Sequence, residues 1–287
     1  MTRLKAGIHA LFVSLSITVG LPVPGSAQVN ESSADVGQET EMIQPRRLID
    51  AHTAGILPRA HFDFETRIYP SGDESISGCG MLMSISVGIT DRLNIGVSYG
   101  GDGIVGRGRV RGNPYPGALI KYRIIEESYH LPGIAIGYDH QGYGGIETNN
   151  YKGYIYKSQG LFCALSKNYL LFKRLQLGIH GAVNFTWEDI RSVKWPNGYI
   201  GLDFGINEEL AFALEYDLAL NQKDRGTGHW ANPFKGIFNI GIRWAFVPSF
   251  YIEFAAKDVF LQKIKDYATG EKLGWSRELK IVYVTAF

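Results

Sequence analysis

The 287-residue sequence holds little cysteine: Cys79 and Cys163 are the only two. One falls in an expected surface loop and the other in mid-strand, too far apart to pair, so both are read as free thiols. The seven histidines are scattered without metal-ligand spacing, and no metal or other cofactor is expected. Neither sign of charge dominates: 29 Lys and Arg stand against 28 Asp and Glu. Nothing in that balance favours nucleic acid. Beyond residue 27 no segment reads as a long or membrane-spanning helix.

The N-terminus is different. Arg3 and Lys5 precede an apolar run from Ala6 to about Val19, and Gly25-Ser26-Ala27 ends the stretch as a small-x-small cleavage site. This reads as a secretory signal peptide over 1–27, cleaved after Ala27. Its removal leaves 27 basic and 28 acidic residues, a net charge of −1. Residues 28–60 read as a polar periplasmic lead-in, and 61–287 as the folded domain.

Glu208–Asn221, "EELAFALEYDLALN", has the composition of a helix. Yet Leu210, Phe212, Leu214, Tyr216, Leu218 and Leu220 fall on alternate positions. A helix would set Glu215 and Asp217 about 200° apart and leave no clean apolar stripe. A strand puts the large apolar residues on one face and the two acids on the other, and pattern outranks propensity. From His61 onward, twelve such segments recur: 62–69, 81–89, 93–99, 118–124, 134–138, 158–165, 175–185, 200–206, 210–220, 238–246, 250–256 and 279–287. The sixth has an ambiguous face. Glycines alternate with large residues on one side (Gly96, Gly137, Gly178, Gly201, Gly205, Gly241). Short connections (such as Thr90-Asp91-Arg92 and Val247–Ser249) alternate without a break with long ones (such as Gly142–Lys157). That alternation and the even strand number predict a single all-β fold, a twelve-strand antiparallel transmembrane barrel with both termini periplasmic. Tyr69, Tyr99, Tyr138 and Phe185 near one rim, and Tyr122, Trp244 and Phe246 toward the other, suit interfacial girdles.

The chain closes on "LKIVYVTAF", where Leu279, Ile281, Tyr283 and the terminal Phe287 alternate. This resembles the last strand of bacterial outer-membrane barrels, which the barrel-assembly machinery reads. The expected location is the outer membrane of a Gram-negative-type bacterium, with its lipid as partner.

Alternation places Asp63, Glu65, Arg67, Lys121, Arg123, Asp139, His180, Asp203, Glu215, Asp217, Arg243, Glu253, Lys257 and Lys280 on the inward face. They are either a network of opposite charges closing the lumen or the lining of a polar conduit. The balanced signs argue against a strongly charge-selective pore. In "GGDGIVGRGRVRG", Gly101-x-Gly103-x-x-Gly106 has dinucleotide-loop spacing, but Arg-Gly-Arg-Val-Arg-Gly-Asn-Pro follows and cannot open the required helix. Arg107, Arg109 and Arg111 there are loop residues that acidic sugars or lipid phosphates would suit. Asp203-Phe204-Gly205 copies a kinase tripeptide but lies mid-strand. Some twelve-strand barrels are lipases with Ser and His on the lipid side. Here the outer faces carry Leu, Ile, Val, Phe and Tyr, with no such pair, and no enzyme is expected.

The phrases "LIDAHTAGILPRAHFDF", "SVGITDRLNIGVSYGG", "KYRIIEESYHLPGIAIGYDHQGYG", "QGLFCALSKNY" and "LEYDLALN" resemble the YjbH-like family of outer-membrane proteins associated with exopolysaccharide production. The resemblance implies an envelope barrel that supports export or surface assembly of polysaccharide. It transfers no site residue. The alternatives are a porin-like channel for small hydrophilic solutes, and a closed structural or adhesin-like barrel acting through its outer loops.

Overall fold

Period-two sequences need a neighbour on each side, because a strand leaves a row of unpaired backbone groups at any free edge. In the computed structural model, which describes residues 45–71, 78–107, 109–147, 153–172, 175–188, 195–221, 236–260 and 276–287, a closed ring meets that need. The strands are β1 (His61–Pro70), β2 (Cys79–Thr90), β3 (Leu93–Val105), β4 (Arg111–Gly112), β5 (Gly117–Ile125), β6 (Gly133–Asp139), β7 (Tyr143–Glu147) and β8 (Gly153–Tyr156). They continue with β9 (Gly160–Leu171), β10 (Leu175–Phe185), β11 (Asn197–Gly205), β12 (Leu210–Asp217), β13 (Ile237–Val247), β14 (Phe250–Lys257) and β15 (Ser276–Ala286). The two-residue β4 pairs with the far end of β3, β7 and β8 pair only with each other, and the other twelve strands pair with their neighbours in turn. β15 returns to β1 with Arg67 opposite Lys280, which closes an antiparallel barrel. Its turn end carries the start of β1, the end of β15 and the brief connections such as Asp91-Arg92 and Pro248-Ser249. Its loop end carries the longer ones.

All twelve expected strands are present, with shifted ends. β15 begins at Ser276, so Glu278, expected in a loop, is an inward strand residue. β12 ends at Asp217 rather than Leu220. The Asp217 carboxylate takes the Ala219 N–H at 2.7 Å and Ala219 adopts φ 50°, so a local turn replaces the last ladder bonds. The ambiguous sixth segment resolves in β9: Leu161 and Leu165 face outward, while Phe162, Ala164 and Ser166 are buried inside. The Gly101-x-Gly103 pair lies within β3, so no phosphate loop forms there.

The outer wall is apolar and open: Val97 is 63% exposed, Ile200 61% and Phe254 57%. The inner wall is polar and buried. A closed antiparallel ring with that contrast is the outer-membrane solution, and the protein is an outer-membrane barrel surrounded by lipid. Leu279, Ile281 and Tyr283 lie on the outward positions of β15. Phe287 follows the strand, its N–H bonded to the Ala60 carbonyl at 3.0 Å and its ring 6.3 Å from that of Phe62. Ala27 and the segment around it lie outside the described residues.

Candidate functional site: a hairpin docked in the lumen

Residues 45–57, read from sequence as part of a lead-in, lie inside the ring. They are aperiodic because their partners are the barrel wall, not a neighbouring strand. The segment is a small hairpin: Arg47 bridges to His52, and the Leu48 N–H bonds the Ala51 carbonyl at 2.9 Å. Its bend reaches Lys257 at the loop end of β14 through Asp50. Its second leg returns to the turn end, where the Asn94 carboxamide donates to the Leu57 carbonyl at 3.2 Å and accepts its N–H at 2.8 Å.

Two apolar side chains anchor the bend. Leu48 packs with Ala51, Phe162, Ala164, Ala182 and Tyr199, and Ile49 with Ala213 and Ala255. The inward glycines make this room. A Cβ on Gly201 would lie 2.2 Å from Leu48 Cδ1, and one on Gly241 would lie 3.1 Å from Ile49 Cγ1. The alternation of small inward and large outward residues therefore holds space for a second piece of chain.

Between the anchors, the Glu215 carboxylate fills a backbone nest. Its Oε2 accepts the N–H groups of Ile49, Asp50 and Ala51 at 3.1, 2.9 and 2.8 Å. Asn239 donates to its Oε1 at 2.9 Å. Successive amides converging on one anion are a strong, charge-assisted arrangement. Opposite it, Asp50 Oδ1 accepts from Arg67 Nη1 at 2.8 Å and Lys257 Nζ at 2.9 Å. The Ile49 carbonyl accepts from Arg67 Nη2 at 3.2 Å and Lys280 Nζ at 3.1 Å.

The first leg brings its own cations. Arg46 ion-pairs with Asp63. Arg47 Nη2 meets Asp139 at 2.8 Å, and its Nη1 donates to the Tyr143 hydroxyl and lies 3.7 Å from Glu65. On the second leg, His52 stacks on Phe162 with ring centroids 4.2 Å apart, and its Nε2 faces Asp139 at 2.8 Å. Burial, reinforced by Arg47, pulls the imidazole down to about 3, so it is neutral and donates through Nε2. Lys121 donates to the Arg46 and Gly55 carbonyls at 3.1 and 2.6 Å.

The wall holds further charges of its own. Arg243, Glu253, Lys280 and Arg67 form one cross-strand row over β13, β14, β15 and β1. Glu253 takes Arg243 at 2.7 Å and pairs with Lys280; Arg67 pairs with Glu65 at 2.6 Å, and Glu278 bridges Arg67 at 3.0 Å and Lys257 at 2.5 Å. Arg123 sits apart at the turn end on the Asp91 carbonyl and Glu126. Asp217 accepts from the Asn197 amide at 2.7 Å.

A Ser–His–Asp chain crosses the floor of the site; alternation places His180 and Asp203 on the inward face, where a His180–carboxylate pair was open to expectation, while Ser166 lies one residue past the segment read from sequence and was missed. His180 Nε2 faces Asp203 at 2.5 Å and its Nδ1 faces Ser166 Oγ at 2.8 Å. Ser166 Oγ also accepts the hairpin's Ala54 N–H at 2.8 Å and is buried. In this geometry the hydroxyl holds the hairpin and meets no open cavity. Among the described residues no group of three His, Cys, Asp or Glu is set to hold a metal ion.

At the loop end, β7 and β8 form a second hairpin over the bend. Tyr143, Tyr156, Tyr69, Leu82, Ala219 and Ile237 make an apolar layer. The Tyr143 ring lies 4.1 Å from the Arg67 guanidinium and 5.1 Å from Lys257 Nζ. Beside the plug remains a small cavity of about 30 Å³, edged by Gln159, Asn184, Asn197, Asn221 and Asn239. That is room for about two waters. The lumen is filled, and what fills it is chiefly the hairpin rather than wall side chains meeting each other.

No known family profile matches the chain, and no curated protein does. Solved structures share its general form. An outer membrane channel from Pseudomonas putida F1 is 12% identical, with 83% of this chain and all of that chain covered, at a TM-score of 0.42. The outer membrane protein Omp33 of Acinetobacter baumannii is 8% identical over 79% of this chain and 98% of its own, at 0.42. The NanC porin is 12% identical over 79% of this chain and 99% of its own, at 0.41. The resemblance to the YjbH-like family is corrected: no family profile matches the chain, that family's included.

Proposed function

We propose that the protein is a porin-like channel for small hydrophilic solutes, held shut in this structure by its N-terminal hairpin. One observation carries the reading: the obstruction is a separate segment, docked in a wall whose main ion pairs are made within the wall. Arg243, Glu253 and Lys280, and Arg67, Glu65, Lys257 and Glu278, keep partners on the barrel strands when residues 45–57 leave. A polar, self-supporting wall around a removable plug suits a gated conduit. In this reading the protein is not an enzyme, the termini and the segment preceding Pro45 are periplasmic, and β15 is the strand read during barrel assembly. Planar-bilayer recording of the folded full chain tests the proposal. Reversible openings are expected; a folded barrel that stays silent under every applied voltage refutes it and leaves the closed structural barrel.

A further inference from the structure

Docking neutralises the lumen unevenly, and that asymmetry defines what the vacated lumen favours. Withdrawal of residues 45–57 takes Arg46 from Asp63, Arg47 and His52 from Asp139, and three N–H groups from Glu215. These carboxylates keep wall donors that hold them in place. The Ser86 N–H stays on Asp63 at 3.1 Å, the Gln141 N–H on Asp139 at 2.9 Å, and Asn239 on Glu215. Against these three freed anions, Lys121 is the wall cation whose hydrogen bonds go to the hairpin, and it loses the Arg46 and Gly55 carbonyls. Arg67 and Lys257 lose Asp50 but keep Glu278.

We infer that the open lumen selects small cations, with Asp63, Asp139 and Glu215 as its selectivity-determining residues. The inference rests on the channel reading above. The three acids run from near the turn end of β1 to the loop end of β6, so a cation meets negative charge along the passage. Charged rings in a narrow, low-dielectric bore act strongly on permeant ions. The nearly even signs along the sequence hide this, because two of the balancing cations, Arg46 and Arg47, belong to the plug, and Arg123 is spent at the rim on Glu126.

The test is the reversal potential of the full chain in a potassium chloride gradient. It is measured on openings of the unaltered protein and on G241A, whose added methyl crowds Ile49. Folding of each variant is checked first by the shift in gel mobility on heating. Potassium is expected to be about threefold or more as permeant as chloride, and Asp63→Asn, Asp139→Asn and Glu215→Gln together are expected to lower that ratio at least about twofold. A ratio at or below one, or one the triple variant leaves unchanged, overturns the inference while the channel stands. Folded protein with no conductance removes the channel reading and the inference with it.

Discussion

Glu215 shows how one side chain fixes a segment more than 150 positions away in sequence. Three consecutive amides share its Oε2, so Glu215→Ala strands the buried donors of Ile49 and Ala51, each costing about 1–3 kcal/mol, and the half-buried one of Asp50. Hydrogen exchange checks this: the amides of Ile49, Asp50 and Ala51 are expected to exchange at least about tenfold faster in the variant, and unchanged protection would show that the nest does not hold the bend. His52 adds a pH dependence. An expelled His52 titrates near its ordinary value of about 6.5, whereas the docked one, between Arg47, Lys121 and Asp139, stays neutral down to about 3. Between those values the expelled form binds the extra proton, so the His52 contribution to docking weakens as pH falls through this window, by at most about tenfold per pH unit. Between about pH 7 and pH 5 open time is expected to rise more, or fall less, in the unaltered protein than in His52→Gln; the same pH dependence in both would remove His52 as a source of it. Alternation identified Glu215 as inward, but its partner was invisible. Asp50, Arg47 and His52 lie in an aperiodic stretch whose structure comes from tertiary contacts alone, and such contacts leave no period to read.

At the scale of elements, the strands were legible and the hairpin was not. β10 is where alternation put it, at Leu175–Phe185. β12 falls short of its pattern because Asp217 turns its carboxylate onto the following backbone, and β15 starts early because Glu278 breaks no alternation. The inward glycines were the available signal for the plug: small residues facing a lumen leave space that something must fill. Gly241 and Ile49 test that logic as a pair. Gly241→Ala places a methyl 3.1 Å from Ile49 Cγ1 and is expected to raise open probability several-fold. Ile49→Ala removes an anchor and is expected to raise open probability as well, but with no side chain left to crowd, adding Gly241→Ala to it is expected to change little further. If the effects of the two changes simply add, the glycine does not serve as the socket of the hairpin.

For the molecule as a whole, loop-length alternation and strand parity are set by the membrane itself, which is why twelve strands could be counted from one sequence. Whether the lumen is open depends on a segment outside that repeat. The central claim, that this segment is a removable plug, has a direct test in one reversible bond. A Cβ on Gly133 would lie 3.2 Å from Ala54 Cβ, close to the separation a disulfide spans. In a chain with Cys79→Ser and Cys163→Ala, the pair Gly133→Cys and Ala54→Cys would tie the hairpin to β6. Bilayer recordings before and after reduction of that bond decide the matter. With the bond formed the barrel is expected to be silent, and with the bond reduced to conduct again. Equal conductance in both states would contradict it.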